Sequence, residues 1–312
     1  MNRAFIFPGQ GSQITGMGKD FYDNFDEAKS TFKTVDEILN YKLSDIIFNG
    51  SSEELTLTAN TQPALMAVSI AILKVIIKQS GKKTNELSSF VAGHSLGEYS
   101  ALCAAESVSL EDTAKLLHIR GTSMQKAVPQ GQGAMAACIG ISSKDLQELL
   151  DFSNIGGICQ IANDNVDGQI VISGHNENID YMLSVLKDTG HKAIKLKVSA
   201  PFHSALMKPA EEPMSTALAQ TTIKAPTIPL IANVTATQTT SPDKIRTNLV
   251  SQICGTVRWR ETMDELNRLG VKELVEIGSG KVLSGLAKKT SHDFKVTNVS
   301  TIAEMEQFLS EI

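Results

Sequence analysis

Phe90–Val91–Ala92–Gly93–His94–Ser95–Leu96–Gly97–Glu98 decides how this chain is read. The apolar run Ser89–Phe90–Val91–Ala92 reads as a short buried strand that stops at a glycine. A helix-compatible stretch then runs from Glu98 through Ala105. Strand, sharp Gly-x-Ser-x-Gly turn and helix together lift a serine hydroxyl onto a strained corner above a sheet. Glycine is needed on both sides of the turn because side chains do not fit there. The amides after the serine open a helix and point at any oxyanion formed beside it. Ser95 is therefore read as a nucleophile.

Before this stretch, Ala4–Phe7 is an apolar strand run entering the glycine-rich loop Pro8–Gly9–Gln10–Gly11–Ser12–Gln13. Helix-compatible sequence follows from Asp20 to Leu39, and Ser51–Ser52–Glu53–Glu54 has the form of a capped helix start. Thr61–Gln62–Pro63 opens a long apolar helix to Lys78. After the elbow, Ser109–Leu110–Glu111–Asp112 suits a helix N-terminus, and that helix runs past Arg120 and Met124 to end by Pro129.

The pattern then changes. Ala134–Ile141 reads as a strand, Ser143–Leu150 as a helix, and Ile158–Ala162 and Gln169–Ser173 as strands joined through Asn163–Asp164–Asn165 and Gly168. Asn178–Lys187 carries apolar residues at helical spacing, and Lys192–Val198 reads as a closing strand. That order, β-α-β-β-α-β, is the split ferredoxin-like unit. The expected organisation is a small ferredoxin-like insertion over 130–198 in a large α/β domain made of 1–129 and 199–312. Thr227–Ala232, Val271–Ile277 and Lys295–Val299 supply further strands to the large domain. Strands alternating with helices imply a mostly parallel sheet covered on both faces.

Composition excludes several classes. The 312 residues are 42% hydrophobic, and a net charge of −5 with dispersed basic residues argues against a nucleic-acid binder. The four cysteines form no CxxC pair and have no histidine at metal-ligand spacing, so reduced thiols, no metal and a cytoplasmic protein are expected. Met1–Phe7 meets Pro8–Gly9 too soon for a signal segment. Ala64–Ile77, about fourteen residues containing Lys74, is too short to cross a bilayer, so no membrane association is expected. Gly131–Gln132–Gly133 precedes a strand instead of following one, Gly278–Ser279–Gly280–Lys281 lacks the first Walker glycine, and Gly9–Gln10–Gly11 never completes a fingerprint. No nucleotide site is supported.

A serine nucleophile needs a base brought close in space. His94 adjoins Ser95, but neighbouring side chains diverge at such a turn. His203, in Ser199–Ala200–Pro201–Phe202–His203–Ser204, stands where the chain re-enters the large domain, and clefts form at such junctions. No acidic third member is evident.

Five motifs occur in one order: Phe7–Pro8–Gly9–Gln10–Gly11–Ser12–Gln13, Gly93–His94–Ser95–Leu96–Gly97–Glu98, Arg120–Gly121, Pro201–Phe202–His203–Ser204, and Ser251–Gln252 followed by Val257–Arg258–Trp259. Together they resemble the malonyl-CoA:acyl-carrier-protein transacylases of bacterial-type fatty-acid synthesis, over Ala4 to about Ala287. The resemblance implies a large α/β-hydrolase-like subdomain carrying a ferredoxin-like insertion. It implies that Ser95 forms a malonyl ester, that His203 is the base, and that the backbone carbonyl of Gln252 orients His203. The Gln10 and Leu96 amides would form the oxyanion hole and Arg120 would clamp the malonyl carboxylate, with Phe202 and Met124 lining the acyl pocket. The implied partners are malonyl-CoA and an acidic acyl carrier protein bearing phosphopantetheine, for a monomeric enzyme with no bound cofactor. Carrier docking could draw on Lys192, Lys195 and Lys197, or on Arg258 and Arg260. Three rivals remain: a serine esterase or thioesterase, which needs an acid and no cleft arginine; a polyketide-type acyltransferase; and a non-catalytic carrier-binding subunit.

Overall fold

A computed structural model describes residues 2–153 and 156–312; Met1 of the N-terminal run and residues 154–155 within the 130–198 segment lie outside the described residues. The strands in chain order are β1 (Arg3–Phe7), β2 (Phe90–Gly93), β3 (Gly133–Ile139), β4 (Cys159–Val166), β5 (Gln169–His175), β6 (Lys192–Lys195), β7 (Leu230–Ile231), β8 (Gln238–Thr239), β9 (Glu273–Ile277) and β10 (Lys295–Val299). They form a six-stranded sheet in the order β10-β9-β1-β2-β7-β8 and a four-stranded sheet in the order β4-β5-β3-β6.

In the larger sheet every pairing is parallel except that of β7 with β8. The alternation of β1 shows why it is central. Phe5 and Phe7 join the core on the side of the long helix Thr58–Ser80, while Ala4 and Ile6 join the opposite cluster with Trp259, Met263 and Leu266. Phe7 pairs with Gly93, so the loops after β1 and β2 leave the sheet side by side at its carboxyl edge. Open α/β sheets bind ligands outside that edge.

Two sequence expectations change here. The strand expected over Thr227–Ala232 contracts to Leu230–Ile231, and the unforeseen β8 lies antiparallel beside it. The apolar helix starts at Thr58 instead of Thr61 and spans 23 residues, with Pro63 inside it. It is therefore long and apolar enough to cross a membrane by length and composition, contrary to the sequence estimate, but its most apolar window is 83% buried within the protein.

The smaller sheet pairs each neighbour antiparallel. The helices Ser143–Phe152 and Asn176–Asp188 pack on it around Leu146, Ile170, Ile172, Ile179 and Met182, a core separate from the two above. β4 runs through Asn163–Asp164–Asn165 instead of ending at Ala162, and only Asp167–Gly168 turns. Bulges at Ile161/Asn163 and Asp164/Val166 let the strand continue while its buried polar side chains reach partners beyond the smaller sheet. Asp164 pairs with Arg260 at 2.8 Å, and Asn163 bridges in parallel to Val257. β4 is thereby stitched to the segment that follows Gln252.

Candidate active site

Ser95 stands between β2 and the helix Gly97–Ala104 with φ of 54°, a left-handed conformation that costs a non-glycine residue free energy. The surrounding backbone compels it. A Cβ on Gly93 would lie 1.9 Å from Gly97 O, and one on Gly97 would lie 2.3 Å from Phe7 O. Gly93→Ala is expected to destabilise the protein by more than about 3 kcal/mol, because a methyl group has nowhere to go. Urea unfolding of the variant measures this, and an unchanged midpoint would show that the turn relaxes freely. Both peptide groups of Ser95 are fastened: its N–H donates to Asn233 Oδ1 at 2.8 Å, and its carbonyl accepts from Gln252 Nε2 at 3.1 Å.

His203, also at positive φ (56°), brings Nε2 to 2.7 Å from Ser95 Oγ. Its Nδ1 lies 2.9 Å from the carbonyl oxygen of Gln252. A carbonyl only accepts, so Nδ1 carries the hydrogen and Nε2 presents its lone pair to the serine. Burial, and then the nearby Arg120 cation, lower the imidazole pKa to about 3. The ring is therefore neutral, in its proton-accepting form, at every pH above that value. His203 should accordingly contribute its limb to the pH profile of serine acylation near pH 3, well below the ordinary histidine value. His94 turns away, as divergence at the elbow requires, and its Nε2 lies 2.8 Å from Asn165 Oδ1.

Arg120 comes from the helix Leu110–Lys126, whose N-cap Ser109 accepts from Asp112 N. The side chain is 1% exposed. Nη1 donates to Gln62 Oε1 at 2.9 Å, and Nη2 donates to Gln252 Oε1 at 2.9 Å and Ser95 Oγ at 3.1 Å. Every one of these partners is neutral, and the buried Nε has no partner among the described residues. Burial pushes its pKa down, yet a guanidinium remains charged in proteins. A buried cation with neutral partners and a spare donor is a receptor for a carboxylate.

These groups face a cleft of about 280 Å³ between the two sheets. Gln10, Ser95, Leu96, Arg120, Met124, Phe202 and His203 all line it, together with Met135, Leu196 and Val198 from the smaller-sheet side. Among the described residues the amides of Gln10 and Leu96 donate to no protein acceptor. Every catalytic, oxyanion-hole and substrate-binding residue singled out from sequence is thus at the cleft, and Gln252 reaches it through His203 and Arg120. The acidic lining is empty: no Asp or Glu borders the cleft, among the described residues.

Sequence reasoning missed Gln62, Asn233 and Glu98. Glu98 is within the elbow motif itself but passes there for an ordinary first-turn helix acid. Three of the basic groups considered for docking are occupied: Arg258 pairs with Glu261, Arg260 with Asp164, and Lys195 with Asp180. β6 ends at Lys195, which pairs with Asp180 at 2.6 Å, whereas Lys197 borders the cleft.

An acyl transferase domain model matches residues 4–307. The chain belongs to the acyl transferase domain family. A malonyl CoA-acyl carrier protein transacylase of Bacillus subtilis is 46% identical over 299 residues, 95% of this chain and 93% of that one. An acyl-carrier-protein-S-malonyltransferase from Bartonella henselae superposes with a TM-score of 0.97 at 52% identity, covering 100% of this chain and 99% of the other. A malonyl-transacylase solved in complex with its type II PKS acyl-carrier protein superposes with a TM-score of 0.95 at 37% identity, over 100% of both chains. This member of the family therefore shares the whole fold of solved malonyltransferases, with both sheets included.

Proposed function

We propose that the chain moves a malonyl group from malonyl-CoA to the phosphopantetheine thiol of an acyl carrier protein, for fatty-acid synthesis, through a malonyl ester on Ser95. The observation that carries this reading is the buried Arg120 guanidinium with neutral partners, 3.1 Å from a serine hydroxyl that is itself 2.7 Å from His203. Relatives over nearly the full length carry the same activity in their names.

The steps follow from the geometry. Ser95 Oγ–H passes its proton to His203 Nε2 as Oγ attacks the thioester carbonyl. The free amides of Gln10 and Leu96 receive the oxyanion; one such donor is worth about 10²–10³ in rate. The tetrahedral adduct collapses, the C–S bond breaks, and the departing CoA sulfur takes the proton back from His203. The carrier thiol next gives its proton to Nε2 and attacks the ester, and Ser95 Oγ leaves with that proton. The Gln252 carbonyl keeps the tautomer fixed in both halves without adding a charge. Arg120 holds the distal carboxylate through both, and Phe202 and Met124 shape the pocket beside it. The segment 130–198 acts in this reading as a small subdomain that forms the second wall of the cleft.

Incubation with malonyl-CoA and phosphopantetheinylated carrier protein tests the proposal. Malonyl-carrier should accumulate with a malonyl adduct on the enzyme; accumulation of free malonate would favour a thioesterase, and absence of any adduct a binding subunit.

A further inference from the structure

Glu98 is a buried carboxylate bonded to both Asn233 and Gln252 without bordering the cleft. It is 1% exposed in the first turn of the helix Gly97–Ala104. Its Oε2 accepts from Gln252 Nε2 at 2.8 Å and from Asn233 N at 3.0 Å, while Oε1 is buried without a partner among the described residues. Burying a carboxylate this incompletely satisfied is costly.

The two donors to Glu98 in turn hold Ser95, His203 and Arg120. Gln252 Nε2 points at Glu98, so its Oε1 faces Arg120 Nη2 at 2.9 Å. The amide is thus aligned between anion and cation; a flipped amide would set N–H against guanidinium and C=O against carboxylate. The same residue's backbone carbonyl receives His203 Nδ1–H. Asn233, tied to Glu98 through its own N–H, presents Oδ1 to Ser95 N and donates Nδ2 to Gly93 O at 2.7 Å. We propose that Glu98 is the positioning residue of the site, an anion that acts through Gln252 and Asn233 to hold Ser95 in its strained turn, to set the carbonyl on His203, and to aim Arg120. This inference rests on the roles proposed above for those three residues.

The charged and titratable groups around Glu98 are Arg120 from the helix Leu110–Lys126 and Tyr99 on its own helix; from the other elements it meets the neutral Asn233 and Gln252. Burial raises its pKa to about 7 against these stabilising bonds. The anion that does the positioning is therefore present above that pH and lost below it, so activity should climb with pH through neutrality.

A double-mutant cycle with Glu98→Gln and Gln252→Ala tests the assignment. Each single change should lower kcat/KM for malonyl-CoA by about 10- to 100-fold, the worth of a hydrogen bond to a charged group. Each should also lower the malonyl-to-acetyl preference, which a general loosening of the fold does not do. The double variant should be no worse than the poorer single. Independent, multiplying effects with unchanged acyl preference would overturn the proposal. The wild-type acylation rate should rise through about pH 7, a limb absent from Glu98→Gln. Should that variant fail to fold, Gln252→Ala decides: an unchanged kcat/KM with an unchanged malonyl-to-acetyl ratio overturns the proposal. Failure of the function itself reads differently, as wild-type enzyme without any malonyl adduct.

Discussion

Ser95→Ala is expected to carry no malonyl adduct in intact-mass analysis and to lose transfer on the order of 10⁶-fold, the scale seen when a serine nucleophile is removed. The fold should survive. Alanine at φ of 54° costs about what serine does, and the strain is imposed by neighbouring backbone, not by the hydroxyl. What disappears is one oxygen that meets His203 Nε2 at 2.7 Å and Arg120 Nη2 at 3.1 Å. No other side chain is bonded to the His203 base, among the described residues. Among the described residues none of the four free cysteines lines the cleft. An undiminished adduct in the variant would sink the assignment.

Arg120→Ala should lower kcat/KM for malonyl-CoA by about 10²- to 10⁴-fold, the value of one or two charge-assisted hydrogen bonds. Acetyl transfer should fall far less, because a methyl group offers the guanidinium nothing. The malonyl-to-acetyl ratio therefore collapses, measured from the two kcat/KM values. A preserved ratio would remove Arg120 from the role of clamp. The same variant has a pH signature of known sign. Arg120 is the second cause, after burial, that holds His203 down at about 3. Without that cation the imidazole pKa rises, so the acidic limb of acetyl transfer moves to higher pH than in wild type. The variant also strands Gln62 Oε1 and Gln252 Oε1, so circular dichroism and a thermal midpoint belong beside the kinetics.

Parts of this organisation are legible in short stretches of residues because local rules govern them. The Gly-x-Ser-x-Gly corner needs only its own backbone sterics, and the structure shows the same glycines in contacts that exclude a Cβ. Ser109 and Ser51 cap helices through side-chain bonds three residues away, where the sequence placed them. The β-α-β-β-α-β order also appears, since alternation and helical spacing are each visible within one element. Bounds fail where long-range partners override local pattern. Asn163–Asp164–Asn165 has turn composition, yet it stays in β4 because Asp164 finds Arg260 and Asn165 finds His94. Pro63 suggests a helix start, yet the helix begins one turn earlier at Thr58.

By itself, then, the sequence determined the strained serine, the class of sheet beneath it and the order of motifs that resemble a malonyl transferase. Each depends on residues near one another in the chain. Only the tertiary structure decided what surrounds the serine. Residues 62, 98, 120, 203, 233 and 252 converge from six separate segments, and no spacing along the chain records that convergence. The buried carboxylate was hidden for the same reason: Glu98 has the composition of a helix first turn, and it becomes a positioning anion only where Gln252 and Asn233 arrive across the fold. Hydrogen-bond geometry and desolvation act at a few ångströms in space, so they belong to the folded chain.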